Sequence, residues 1–178
     1  FYFTDLGKGR EADMDMGAVH YGRPDGTAVN VARPLLTPNG VGLSPDGQTL
    51  YYAETAGARL WAYDITAPGQ VRKDGWPSPN GGRMVTASPG GMLQRFDSLA
   101  VDVLGNVCVA TLMHGGISIV SPDGQLVSHV PLPDRMTTNI CFGGKDRRTA
   151  YVTLSGSGIN IDGTPVDAVK FALGNGIV

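Results

Sequence analysis

A chain of 178 residues with 26 glycines, 42% apolar and 17% charged residues is long enough to bury one core and ordinary in its apolar content for a soluble domain. Its formal net charge of −2, with the signs scattered, offers no basic stripe to neutralise phosphates, and no run approaches the roughly 20 apolar residues of a membrane helix. We therefore expect neither nucleic acid nor membrane as a partner, and a soluble protein, cytoplasmic rather than secreted.

The sequence opens inside a strand pattern, Phe1-Tyr2-Phe3-Thr4-Asp5, with no start or signal sequence before it, so it reads as a piece of something longer. Residues 7–16 are polar and read as a long mobile loop. A hairpin follows, Gly17 to Tyr21 and Thr27 to Val31 around Asp25-Gly26. A second runs from Pro38-Asn39-Gly40-Val41 through Ser44-Pro45-Asp46-Gly47 to Thr49-Leu50-Tyr51-Tyr52-Ala53-Glu54; an Asp-Gly turn between two apolar runs is a strong hairpin signal. Arg59-Leu60-Trp61-Ala62-Tyr63-Asp64 leading to Gln70-Val71 is read as another. Residues 74–92, rich in Gly, Pro and Asn and holding Trp76, read as an extended connection.

The plan then returns. Asp97-Ser98-Leu99-Ala100-Val101-Asp102 pairs with Val107-Cys108-Val109-Ala110-Thr111, Gly116 to Val120 with Gln125 to Val127, and Thr138-Asn139-Ile140-Cys141-Phe142 with Thr149 to Thr153. Cys108 and Cys141 both sit in apolar runs without metal-ligand spacing, so both are expected as buried free thiols. Near the end, Thr164 reads as the N-cap of a short helix, Pro165 as its first residue and Gly174 as its stop.

Positions such as Phe3, Tyr52, Val109 and Val152 recur at long intervals with four strands in each, the signature of a β-propeller blade; an antiparallel sandwich is the alternative. The expectation is an all-β propeller. Two complete and two partial blades occupy residues 1–156, and 157–178 form a divergent, helix-like tail. Such a piece does not close a ring, so missing sequence, another copy of the chain or a partner must complete it and cover its open edges.

Residues that precede successive first strands of blades converge near a propeller's axis. Here they are Asn39, Asp97 and the pair Thr138-Asn139, joined on the same rim by Asp5, Glu54, His114 and Ser155 from loops after second strands. Amide and carboxylate oxygens around one axis suit a hard cation, Ca²⁺, Mg²⁺ or Mn²⁺. From spacing alone, Asn39 also reads as a turn-former, Asp97 as a partner of backbone amides and His114 as an exposed loop residue. Asp25, Asp46 and Asp123 belong to turns.

The succession Pro38-Asn39-Gly40-Val41, Ser44-Pro45-Asp46-Gly47, Asp97-Ser98-Leu99-Ala100-Val101-Asp102 and Thr137-Thr138-Asn139-Ile140-Cys141-Phe142-Gly143-Gly144 resembles the SMP-30/gluconolactonase/regucalcin family over nearly all of residues 1–156. The resemblance implies a six-bladed propeller, one divalent cation on the axis, Ca²⁺ foremost with Zn²⁺ also used, and hydrolysis of sugar lactones or related esters. It places a metal-ligating Asn at Asn39, a metal-ligating and catalytic Asp at Asp97, and a substrate-covering loop at residues 7–16. Arg10, Glu11, His114 and Asn139 are the candidate substrate contacts. The family's acidic ligand from its first blade and its substrate-contacting polar residues ahead of the Phe1 strand have no counterpart here, and the closing part of its last blades is missing or replaced after Gly156. The implied chemistry has the cation polarise the lactone carbonyl, with a water on the cation, oriented by Asp97, as nucleophile. Alternatives are a non-catalytic metal-binding scaffold and an organophosphate-hydrolysing or strictosidine-synthase-like propeller.

Overall fold

Successive side chains of a strand point to opposite faces of its sheet, so Leu50-Tyr51-Tyr52-Ala53, apolar at every position, needs cover on both sides. The computed structural model, which describes residues 1–155 and 169–172, supplies it. Leu50 and Tyr52 pack with Val19, Val31 and Leu35 on one side. Tyr51 and Ala53 pack with Phe96, Leu99 and Val107 on the other.

Every described element is a strand. A first antiparallel sheet holds β1 (Tyr2–Asp5), β2 (Gly17–Gly22) and β3 (Ala28–Leu35). A second holds β4 (Pro38–Leu43), β5 (Thr49–Glu54) and β6 (Arg59–Ala67), with β7 (Gln70–Val71) and β8 (Arg83–Ala87) both on β6. A third runs β9 (Arg95–Val101), β10 (Val107–Leu112), β11 (Gly116–Val120) and β12 (Leu126–Pro131). The fourth is β13 (Thr137–Gly143), β14 (Thr149–Leu154) and β15 (Val169–Ala172). The sheets stack face to face around three apolar layers, the last built from Cys108, Ile117 and Ile119 against Ile140, Ala150 and Val152. β4 packs on β9 and β9 on β13, so the first strands of successive sheets lie side by side, as the repeat pattern predicts. β1 stands where β5, β10 and β14 stand in theirs.

The turns behave as read. At the Asp46-Gly47 turn Gly47 has φ +70°, a left-handed conformation that glycine adopts without steric cost, and Asp46 Oδ1 accepts the Gln48 N–H at 3.0 Å.

Three expectations are corrected. The fourth strand of the second sheet is β8, from within the stretch read as a connection; β7 pairs only with Ile65 and Ala67 at the far end of β6, and β8 takes Arg59 to Ala62. Val169–Ala172, expected inside a helix, is strand, its Val169 opposite Val152 and its Phe171 opposite Ala150; an apolar edge on β14 offers a hydrogen-bonding partner that local helix signals do not weigh. The remainder of the expected helix, Thr164 and Gly174 included, lies outside the described residues. Cys141 is exposed, whereas Cys108 is buried, because only one face of β13 is covered.

Candidate metal centre and active site

A β-carbon on Gly40 would lie 2.6 Å from the backbone nitrogen of Leu99 and 2.8 Å from the carbonyl oxygen of Asp97. Its absence lets the start of β4 lie directly against the start of β9. The consequence is that Asn39 and Asp97, from different sheets, meet side chain to side chain through a hydrogen bond. The Thr4 hydroxyl donates to the Asn39 carbonyl at 2.6 Å, and Asn39 Nδ2 donates to Thr55 Oγ1 at 3.3 Å. The two contacts hold Asn39 from the first and second sheets at once.

Asp97 is half-buried. Burial pushes its carboxyl above the usual carboxylate range, and hydrogen bonds from Asn39 and from the Ser98 backbone N–H pull the other way. Its partners are therefore neutral, and a cation would supply the compensating charge that they lack. An amide oxygen and a carboxylate are hard donors suited to Ca²⁺ or Mg²⁺. Two donors are fewer than the roughly six to eight that Ca²⁺ takes, and among the described residues no three His, Cys, Asp or Glu side chains converge. The residues present fit a divalent cation in kind, as part of a ligand set.

The other rim residues are engaged elsewhere. Glu54 is only 2% exposed; its Oε1 accepts from Arg59 Nε at 2.8 Å and its Oε2 from Trp61 Nε1 at 2.9 Å. Arg10 pairs with Asp13 and Asp15 inside its own loop, which closes on itself through a Gly9–Met14 bridge; Glu11 next to it is exposed. The His114 ring packs 4.1 Å from that of His129 on the outer strand β12. Asn139 is exposed, its Oδ1 accepting the Ile140 N–H at 2.7 Å. Thr138 bonds Thr153 across β13 and β14 at 2.9 Å, and Asp5 Oδ1 accepts the Gly7 N–H at 3.0 Å. Of the predicted residues, then, Asn39 and Asp97 come together. Thr4 and Thr55, which position Asn39, were missed. Thr55 carries a signal, since it follows Glu54 on the rim where loops leave second strands.

The model of the SMP-30/Gluconolactonase/LRE-like region matches residues 1–156. The chain belongs to that family. Similar curated members include the 6-deoxy-6-sulfogluconolactonase of Pseudomonas putida, 31% identical over 125 residues that make up 70% of this chain and 40% of that protein. The gluconolactonase of Zymomonas mobilis is 27% identical over 173 residues, 86% of this chain and 44% of that one. Among solved structures, a calcium-binding regucalcin from Agrobacterium tumefaciens superposes with a TM-score of 0.71 at 23% identity, over 86% of this chain and 50% of that one. A gluconolactonase from Xanthomonas campestris does so with 0.65 at 26%, over 86% and 50%. The chain thus spans about half the length of the family members it matches.

Proposed function

We propose that this chain is the metal-bearing sector of a six-bladed propeller lactonase, in which Asn39 and Asp97 hold one divalent cation and Asp97 serves the hydrolysis of a sugar lactone or related ester. The observation that carries this reading is the contact between Asn39 and the half-buried Asp97 carboxyl across β4 and β9. Lactonases among the relatives and a calcium-binding neighbour support the substrate class and favour Ca²⁺, with Zn²⁺, Mg²⁺ and Mn²⁺ as alternatives.

When bound, the cation supplies Lewis-acid polarisation of the ester carbonyl. The protein's part is to place the reactants. Asn39, held by Thr4 and Thr55, keeps its amide beside Asp97. An Asp97 oxygen accepts a hydrogen bond from the attacking water and orients it toward the carbonyl carbon. Water adds to the carbonyl carbon and gives up a proton, the ring C–O bond breaks as its oxygen takes up a proton, and a hydroxy acid results. The proposal also places residues 1–156 within the propeller and leaves completion of the ring to further sequence or to another chain.

The test is calorimetric titration with Ca²⁺ beside a gluconolactone hydrolysis assay on the protein and its Asp97→Ala variant. Loss of both binding and turnover is expected; near-normal turnover in the variant sinks the assignment. Binding without turnover by the unaltered protein would instead favour a metal-binding scaffold, the second reading, which the single carboxylate of this sector makes worth separating.

A further inference from the structure

A cavity of about 560 Å³ opens where the later halves of β9 and β13 lie side by side, at the far end of β9 from Asp97. Leu99, Val101, Ile140 and Phe142 give it an apolar wall, and residues 146–148 of the β13–β14 turn line its exposed mouth. Val101 stands four residues beyond Asp97 on β9, roughly 13 Å along an extended strand, so the cavity is separate from the pair at Asn39 and Asp97. Small-molecule sites are concave, mostly apolar and roughly 300–1,000 Å³ in volume, with a few polar groups that fix orientation; this cavity has that size and that make-up.

The charged side chains around it are not equally available. Asp102 is buried; its Oδ1 accepts the Leu104 and Asn106 N–H groups at 2.9 and 2.8 Å, and its Oδ2 accepts from Asn106 Nδ2 at 2.8 Å. Asp146 turns Oδ1 back on the Arg148 N–H at 3.2 Å, inside its own turn. Arg147 and Arg148 are exposed, and among the described residues neither guanidinium has an ion-pair or hydrogen-bond partner. Lys145 beside them adds a third cation to the turn, and Asp46, on the neighbouring β4–β5 turn, does not line the cavity.

Arg147 also holds φ at +58°, a left-handed conformation that residues with a β-carbon rarely take, and its N–H is fixed on the Gly144 carbonyl at 3.2 Å. Such backbone outliers gather at ligand-holding positions. What the mouth leaves for a ligand is therefore hydrogen-bond donors carrying positive charge. A guanidinium presents its N–H groups in a planar fork that matches a carboxylate, and the wall behind it takes up hydrocarbon.

We propose that this cavity is a binding site for a carboxylate with an apolar body, the head group held by Arg147 and Arg148 and the hydrocarbon lying against Leu99, Val101, Ile140 and Phe142. The site is additional to the lactonase reading and does not depend on it. The test is calorimetric titration of the full chain, without Ca²⁺, with butanoate, hexanoate and octanoate, and with octanol, octyl phosphate and gluconate for comparison. Octanol keeps the body without the charge, gluconate the charge without the apolar body, and octyl phosphate exchanges the carboxylate for a phosphate.

Affinity is expected to rise by roughly threefold to fourfold per methylene. Octanol, and octanoate on the double variant Arg147→Gln, Arg148→Gln, are each expected to bind about tenfold more weakly than octanoate on the parent, with the variant unfolding at the parent's temperature. The Asp97→Ala variant is expected to bind octanoate as the parent does. Octanol binding as tightly as octanoate, an affinity unchanged in the arginine variant, tighter binding of octyl phosphate or gluconate, or no binding at any chain length overturns the proposal. Octanoate binding lost in Asp97→Ala would put the acid at the metal pair and overturn it as well.

Discussion

At Gly40 the missing side chain does structural work for the site, because the atoms that a β-carbon would meet, Leu99 N and Asp97 O, are backbone and cannot rotate away. Gly40→Ala must push β4 from β9 and so part Asn39 from Asp97. We expect a loss of about 2–3 kcal/mol in stability together with loss of Ca²⁺ binding, checked by urea unfolding and calorimetry on the same variant; a stability loss with binding intact would contradict the coupling. Glu54 teaches the opposite lesson. Its two oxygens are taken by Arg59 and Trp61, and its side chain is 3% exposed against 34% for Arg59. Removing it leaves a partly buried guanidinium and an indole N–H unpaired, so Glu54→Ala is expected to cost about 3 kcal/mol by urea unfolding without altering Ca²⁺ affinity. Asn39 and Asp97 were legible in the sequence because both stand near the start of strands of the same rank, β4 and β9. The fate of Glu54 was not, because it depends on Arg59 lying directly opposite in the β5–β6 register.

Strand β12 ties its sheet shut through His129. Nε2 meets the Gly115 carbonyl at 3.0 Å and Nδ1 meets Ser118 Oγ at 3.1 Å. A carbonyl only accepts, so Nε2 carries the proton and the Ser118 hydroxyl donates to Nδ1. Burial lowers the proton affinity of His129; the Gly115 carbonyl raises it, and neighbouring His114 lowers it further. The folded state thus binds this proton less readily than the unfolded chain does. The contribution is present above the unfolded value of roughly 6.5 and is lost as pH falls through it toward the lower folded value. We expect unfolding midpoints to decline from about pH 6.5 downward and His129→Gln to remove that part of the decline; an unchanged profile in the variant would exclude the assignment. The elements themselves were mostly readable, since the Asp-Gly turns and apolar runs sit where the strands fall. β8 was hidden because 74–92 is so rich in turn residues, and β15 because helix caps are local whereas strand pairing is not.

Across the whole molecule, the inner faces of the sheets are covered and the two outermost faces are not. On β13 and β14 the exposed positions alternate, Asn139 and Cys141 on one strand, Tyr151 and Thr153 on the next. At the other end of the stack Phe1 is 72% exposed. Cys108, by contrast, lies in the layer between the third and fourth sheets, where burial, with a smaller push from Asp102, raises its thiol to about 12. A neutral thiol reagent is expected to modify Cys141 rapidly in the native protein and Cys108 only on unfolding. Mass mapping of the labelled sites checks this: rapid labelling of Cys108 contradicts the packing described, and protection of Cys141 means that its face is covered in solution.

What the residue order determined by itself was the all-β class of fold and that Asn39 and Asp97 come together. Turn chemistry and apolar runs are local, and a repeated plan brings equivalent positions to equivalent places. Tertiary structure alone decided which rim groups remain free, which strand closes the second sheet and which cysteine meets solvent. Each depends on partners distant in sequence, and a hydrogen bond or a packed face exists only once both sides of it are in place.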